Sequence, residues 1–488
     1  MNILMISAEA VPFAKSGGLA DAVTSLSLSL ADLGHDVRIL MPRYYSVDRK
    51  HLNLVTEGMK IQMGNNCEIV NIYQTYLTCK KKVPVYFADD EGLFGRLGIY
   101  GDNPASGYAD NPYRFSLLSH TAFEFCKKKQ WIPDIIHCHD WSSCLALTLL
   151  KNIYRFQKPF EKTKGILTIH NMGYQGDFST DKFSDLGIDW GFFYRAGFEH
   201  NYRINFLKAG IVSADKITTV SQRYAQEIQS SEGGFGLESV IKYRNQDLCG
   251  ILNGIDVDAW NPQLDKKIPF NFSISDLSGK AKCKEELQKR MGLPVDNNVA
   301  VIGIISRLVQ QKGISELFAP NYGCMYGLCK KANVQVVVLG SGEKWCESEL
   351  QILSKELPNF KCFIGYDEGL SHLIESGSDI FLMPSRYEPC GLNQLYSMRY
   401  GTLPVVRNTG GLADTVQNYD AVNKTGSGFV CNDATPDAVF GTTMWAIETY
   451  YEHKDDFKML QQNAMSKDFS WINSANQYVK VYQSALEN

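Results

Sequence analysis

What this chain lacks removes several classes of function before any motif is considered. It has no basic excess: 49 Lys and Arg stand against 53 Asp and Glu, a formal net charge of −4. That balance argues against nucleic-acid binding, which needs positive charge to meet a phosphate backbone. No apolar run approaches the ~20 residues that a membrane-spanning helix requires. The opening MNILMISAEA reads as a strand, without the charged start and long apolar centre of a signal peptide. The 13 cysteines show no paired metal-type spacing, and several (Cys126, Cys138, Cys362) sit inside apolar runs, as reduced thiols of a cytosolic protein do. No low-complexity segment appears, and the Lys-rich stretches 80–82 and 127–129 read as solvated faces. The expectation is a soluble, cytoplasmic protein with no membrane or nucleic-acid partner. At 488 residues, 44% hydrophobic and 21% charged, it is ordinary for an enzyme and too long for one core, so two domains are expected.

What is present begins with Lys15-Ser16-Gly17-Gly18-Leu19-Ala20-Asp21. The apolar run Ile3 to Ile6 before it reads as a buried strand. Leu26, Leu28, Leu30 and Leu33 after it read as an amphipathic helix that stops at Gly34. A Gly-Gly turn between strand and helix brings backbone N–H groups and the positive end of a helix close to a ligand, which suits phosphate. Lys15 adds a full charge. The same residues equally make a plain tight turn. A near copy, Thr409-Gly410-Gly411-Leu412-Ala413-Asp414, implies two related α/β halves facing one anionic ligand.

Strands alternate with helical patterns along the rest of the chain, which predicts parallel sheets covered on both faces. Val37–Leu40, Pro84–Phe87, Ile135–His139 and Gly165–Ile169 form one series. Val299–Ile305, Val334–Leu339, Cys362–Gly365, Ile380–Pro384 and Leu403–Val406 form a second. The turn-rich segment Asn253 to Pro262 separates them. Functional loops of doubly wound sheets lie at the carboxyl ends of the strands, and chemistry-bearing residues cluster there. Arg307 and Lys312 follow one strand, where a planar fork and a point charge suit a diphosphate, or begin a helix as a surface pair. Glu388 follows another, within Ser385-Arg386-Tyr387-Glu388-Pro389-Cys390-Gly391-Leu392-Asn393; its carboxylate suits the vicinal hydroxyls of a ribose or the start of a helix. His137 and His139 share a strand face without further ligands, so a metal is not expected. Asp140 and Trp141 read instead as a sugar contact, a carboxylate beside an aromatic plate, and His170 with Asn171 ends the next strand in the same way. Gly340-Ser341-Gly342 lacks the third glycine of a nicotinamide site.

In this order and spacing, these motifs resemble the glycogen and starch synthase family. The resemblance is carried by Lys15 to Asp21, His139-Asp140-Trp141, His170-Asn171, Leu252 to Asp256, Arg307 with Lys312, Gly365-Tyr366-Asp367, Glu388 to Leu392 and Thr409 to Leu412. It implies an α/β fold of the GT-B type, two Rossmann-like domains with the active site in the interdomain cleft. The expected division is an acceptor domain over 1–258, completed by a C-terminal helix at 468–488, and a donor domain over 259–467. The implied reaction moves glucose from ADP-glucose to the non-reducing end of an α-1,4-glucan such as glycogen, with retention and without cofactor or metal. Lys15, Gly18, Arg307 and Lys312 would hold the diphosphate. Glu388 would lie near the anomeric carbon or the 3- and 4-hydroxyls of the donor glucose, which replaces the ribose reading. Backbone groups of Cys390, Gly391, Leu392 and Asn393 would reach glucose and phosphate, His170 would contact the sugar, and Tyr366 would stack near adenine. Asp140 and Trp141 would line the acceptor side, Asn253 would lie between donor and acceptor, and Asp21, Tyr100 and Asn171 complete the substrate-binding set. Residues 102–112 read as an acceptor-side loop around Tyr100 and Tyr108. Asn393 stands where the family more often has Thr or an aliphatic residue, and Ala22 where it more often has Val. The competing readings are a UDP-glucose or other GT-B transferase, a phosphorylase needing a pyridoxal lysine, and a non-catalytic homologue stripped of its charged residues.

Overall fold

A computed structural model describes residues 1–78, 81–102 and 106–487. Lys80 and residues 103–105 of the acceptor-side loop therefore lie outside the described residues. The contacts divide the chain into two units, Met1–Gly254 with Trp471–Asn488, and Ile255–Ser470.

The first unit is built on β1 (Asn2–Ile6), β2 (Asp36–Pro42), β3 (Asn53–Met63), β4 (Asn66–Thr78), β5 (Lys82–Asp89), β6 (Ile135–His139) and β7 (Lys164–Ile169). A small side sheet, β8 (Asp177–Ser179), β9 (Glu199–His200) and β10 (Arg203–Asn205), precedes β11 (Lys216–Thr219) and β12 (Leu248–Gly250). The main sheet runs β12-β11-β7-β6-β1-β2-β5-β4-β3. All pairs from β12 to β5 are parallel, with Ile3 opposite both Val37 and Ile135. Strands buried on both faces favour continuous apolar runs, and Ile3 to Ile6 of β1 is such a run, while β6 (IIHCH) buries two histidines among its apolar residues. The sequence reading of an all-parallel sheet missed β3 and β4, which add an antiparallel edge to β5. Gly64, at φ 59°, opens their turn.

The helix Gly18–Asp32 buries Leu19, Val23, Leu26 and Leu30, and Gly34 at φ 98° ends it. Its core is shared with the last helix, Trp471–Glu487, whose Trp471, Ala475, Tyr478, Tyr482 and Ala485 join the cluster formed by Ile3, Met5, Val23 and Ile39. The amphipathic spacing of that last helix brings the end of the chain back onto the first unit.

The second unit carries β13 (Ala300–Ile305), β14 (Val334–Gly340), β15 (Phe360–Ile364), β16 (Ile380–Met383), β17 (Leu403–Arg407) and β18 (Phe429–Cys431). They form a parallel sheet in the order β15-β14-β13-β16-β17-β18. Counted in chain order this is 3-2-1-4-5-6, the doubly wound arrangement, and the reversal between first and fourth strand opens a crevice at their carboxyl ends. In the first unit the same reversal falls between β1 and β6. The loops after β1 and β6, and after β13 and β16, are therefore the places where each unit presents chemistry.

Candidate active site

In the first unit the loop after β1 is organised by a residue the sequence reading missed. Glu9 is buried, and its carboxylate accepts from the Ser16 backbone N–H at 2.5 Å, the Ser16 hydroxyl at 2.7 Å and the Tyr100 hydroxyl at 2.9 Å. One buried carboxylate thus holds both the entrance to the Gly-Gly turn and the expected acceptor-side Tyr100. Its signal in the sequence is an acid placed directly beyond a buried strand. The turn itself is open: a Cβ on Gly17 would meet nothing within 4 Å, and Gly18 begins its helix exposed. Lys15 lies beside it, 2.8 Å from Asp21, and its side chain keeps 51% of its surface exposed.

The loop after β6 turns sharply at Asp140, which is non-glycine at φ 55° and ψ −177°. Such a conformation costs about 1–3 kcal/mol and persists where surrounding contacts enforce it. Here Asp140 Oδ1 accepts from the His170 backbone N–H at 2.7 Å, which ties β6 to the end of β7. Burial pushes the Asp140 carboxyl up to about 7, against the opposing pull of N–H groups from His170 and Asn171. Asn171 caps its own turn by accepting from Gly173 N–H at 2.9 Å. Trp141 is half-buried among Tyr100, Phe115, Phe178 and Phe206. A Cβ on Gly176 would come 2.5 Å from its ring, so glycine is required there for the indole to fit.

His137 and His139 face packed protein. His137 bonds Tyr482 OH at 2.8 Å and Thr168 Oγ1 at 2.6 Å, while His139 Nδ1 lies 3.1 Å from His170 Nε2. Burial lowers His137 and His170 to about 3, and holds His139 well below its ordinary value, so all three are neutral imidazoles near pH 7. Asn253, beyond β12, is buried with its Oδ1 unpartnered. The neighbouring Leu252 carbonyl accepts from Ser474 on the last helix at 2.5 Å.

In the second unit the two switch-point loops are bound together. Arg386 N–H donates to the Gln311 carbonyl at 2.8 Å, and the Gln311 amide donates to the Tyr387 carbonyl at 3.3 Å. Gly313, at φ 75°, lies so close to the Pro384 carbonyl that a Cβ would come within 2.5 Å. Lys312 is thereby delivered to Glu388, with Nζ 2.5 Å from Oε2, and Ser385 Oγ donates to the same oxygen at 2.9 Å. Glu388 is buried and the Lys312 side chain is only 15% exposed. Two residues 76 apart in sequence form one protected ion pair. Arg307 is exposed and reaches this group only through Gln311, at 3.4 Å.

Past Glu388 the chain turns through Gly391 at φ 71° into the helix Asn393–Arg399. Cys390 is buried and Leu392 half-buried, and Gln394 Nε2 donates to the carbonyls of Cys390 and Gly391 at 3.1 Å each. Asn393 donates from its side chain to the Ile305 carbonyl at 2.8 Å, which stitches this helix to the end of β13. That bond gives the asparagine a local reason. Tyr366 stands apart, 81% exposed beyond the edge strand β15 and ahead of Asp367, which caps the next helix. The second Gly-Gly turn does not face outward as the sequence reading expected. Gly410 and Gly411 are buried against Glu388 and Cys390, and Gly411 N–H donates to the Glu388 carbonyl at 3.0 Å.

Among the described residues, no group of three or more His, Cys, Asp or Glu is arranged to hold a metal ion. No described helix is long and apolar enough to cross a membrane.

Two doubly wound units, each presenting charged loops at its switch point, are those of a GT-B glycosyltransferase. Residues 2–243 match the family described as starch synthase catalytic domain, and residues 285–464 match glycosyl transferases group 1. The chain is 52% identical over 487 residues to a glycogen synthase of Treponema denticola, covering 100% of this chain and 99% of the relative. It is 44% identical to glycogen synthase 1 of Geobacter sulfurreducens, covering 100% and 96%. In structure it resembles the catalytic domain of starch synthase IV from Arabidopsis thaliana bound to ADP and acarbose, with a TM-score of 0.88, 31% identity and coverage of 100% and 99%. A sucrose-phosphate synthase of Thermosynechococcus elongatus shares the fold, at a TM-score of 0.61 and 14% identity. The chain belongs to the glycogen and starch synthase family of glycosyltransferases.

Proposed function

We propose that this enzyme transfers a glucosyl unit from ADP-glucose to the non-reducing end of an α-1,4-glucan, with retention at the anomeric carbon. The first unit serves the acceptor and the second the donor. The observation that carries this reading is the buried Lys312–Glu388 pair at the switch point of the second unit, a cation and a carboxylate held together where this fold binds nucleotide ligands. The similarity to the Arabidopsis enzyme, whose catalytic domain is bound to ADP and acarbose, supports an adenosine nucleotide and a glucan-like ligand here.

Breaking a glycosyl–phosphate bond puts negative charge on the departing diphosphate. Fixed cations act where that charge appears, and we assign this to Lys312, Arg307 and Lys15. Gly18 in the open turn and the backbone of Cys390, Gly391, Leu392 and Asn393 add N–H donors. Positive charge develops on the sugar ring, and Glu388 with neighbouring carbonyls faces it. A glycosidase would need two carboxylates flanking the bond and would admit water; here the leaving group is already activated. Attack from the same face as the departing phosphate, assisted by that phosphate, accounts for retention without a protein nucleophile. Trapping a covalent glucosyl-enzyme would rule that route out. His170 contacts the sugar, Tyr366 stacks on the base, Asp140, Trp141 and Tyr100 serve the acceptor side, Asn253 lies between donor and acceptor, and Asp21 and Asn171 complete the substrate-binding set.

The test is release of nucleoside diphosphate from ADP-glucose or UDP-glucose, with and without glycogen, alongside the anomeric proton signal of the first product. Glycogen-dependent ADP release with an α product is the expected outcome. Release from the UDP sugar alone keeps the chemistry and moves the donor; release from neither overturns the reading.

A further inference from the structure

His170 is gripped twice: its main-chain N–H by Asp140 Oδ1 at 2.7 Å, and its ring Nε2 by His139 Nδ1 at 3.1 Å. His139 is 1% exposed, its ring lies 4.2 Å from that of His137 at a tilt of 35°, and its other ring nitrogen, Nε2, is buried with no hydrogen-bond partner. That orphan nitrogen decides the proton positions. We infer that His139 is a positioning residue that sets the tautomer of His170: His139 Nδ1–H donates to His170 Nε2, so His170 carries its proton on Nδ1 and offers an N–H donor to an oxygen of the substrate. The inference rests on the reading of His170 as a sugar contact.

A neutral imidazole holds one N–H and one bare nitrogen, and the hydrogen bond of one nitrogen dictates the state of the other. The pair has two arrangements. If His170 Nε2–H donated, His139 would bear its own proton on Nε2, leaving an N–H buried without an acceptor. Orphaned buried N–H groups are the rarer and costlier kind. If His139 Nδ1–H donates, only a bare ring lone pair goes unmet. Burial keeps all three histidines neutral near pH 7, so no doubly protonated ring blurs the choice. His137 is the floor of the arrangement. Its two nitrogens are taken by Tyr482 OH and Thr168 Oγ1, so it packs against the His139 ring without competing for the Nδ1 bond. The column runs from the last helix to the end of β7, and the outermost ring is the one assigned to the sugar.

The test uses the full chain with 15N-labelled histidine, recording two-bond N–H correlations, with His170 assigned from its loss in His170→Asn. The wild-type His170 ring should show the Nδ1–H pattern; an Nε2–H pattern in the wild-type protein overturns the inference. In His139→Leu that pattern should shift toward Nε2–H, and kcat should fall about 10–100-fold with KM for glycogen within about threefold, as for loss of a partner that orients a working side chain. His139→Asn places an amide N–H where Nδ1–H stood and should restore most of kcat. Equal losses in the Leu and Asn variants at unchanged melting temperature would overturn the positioning role. Full turnover in His170→Ala would instead remove His170 from the sugar, a failure of the functional reading that leaves the tautomer result standing.

Discussion

The two Gly-Gly-Leu-Ala-Asp turns share five residues and divide sharply in what surrounds them. Gly17-Gly18 follows β1, the strand where the sheet order reverses, and opens a fifteen-residue helix whose first residue, Gly18, is exposed. Gly410-Gly411 follows β17, one strand beyond the switch, and opens a helix of six residues buried against the Glu388 loop. The first turn leaves open space beside Gly17. The second spends at least one backbone donor on the protein, since Gly411 N–H donates to the Glu388 carbonyl. A motif acquires its role from its strand. The same glycines stay open beside a crevice and buttress one strand away.

The contrast can be tested from its strongest consequence downward. Lys312→Ala should lower kcat by roughly 10³-fold or more, the scale for removing a preorganised charge at a developing anion, while the protein still folds; near-normal turnover would take Lys312 out of the diphosphate site. Gly411→Ala should be severely destabilising, about 3 kcal/mol or more in a denaturant melt of the second unit, because its Cβ would overlap the Cys390 carbonyl and force backbone to move. Gly17→Ala has open space and an extended φ of −160°, so its stability should change by less than about 0.5 kcal/mol, and any activity it loses reports ligand approach. Equal damage at both positions would erase the distinction. Lys15→Ala should cost about tenfold in kcat/KM and little stability, because its pair with Asp21 is exposed and such pairs contribute about 0.2–1 kcal/mol.

A further effect concerns pH and separates the units by their buried groups. His137 and His170 fall to about 3 on folding from 6.5, so the folded first unit binds fewer protons and loses stability as pH drops from about 6.5 toward 3. Asp140 opposes this: raised from 3.8 to about 7, it binds a proton more readily when folded and favours the fold as pH drops through that range. Glu375, buried in the second unit and raised well above its ordinary value, works in the same acid-favouring direction. Urea melts from pH 6.5 to 4.5 should show the first unit weakening before the second. Asp140→Asn should steepen that loss by up to about 1.4 kcal/mol per pH unit, one proton's worth. A shallower slope in Asp140→Asn would mean the carboxyl is ionised in the folded protein.

Most of the parallel strands were legible because burial on both faces favours an unbroken apolar run, as in β13 and β16. The β3–β4 edge was not, because its exposed, bulged strands interrupt the alternation that would announce them. The candidate site was legible where chemistry sits at strand ends, as with Lys312, Glu388 and Asp140. It was illegible where partners are distant: Glu9 with Tyr100 across 91 residues, and His137 with Tyr482 across 345.

Local order of residues is enough to specify strands, helices, turn positions and the side chains with reactive groups, because periodicity and glycine chemistry act over a few neighbours. Which glycine turn stays open, which lysine meets which carboxylate, and which nitrogen of His170 bears a proton were decided only when the sheets brought remote segments into contact. Burial then removed water, and every polar atom had to find its partner in the protein or go without.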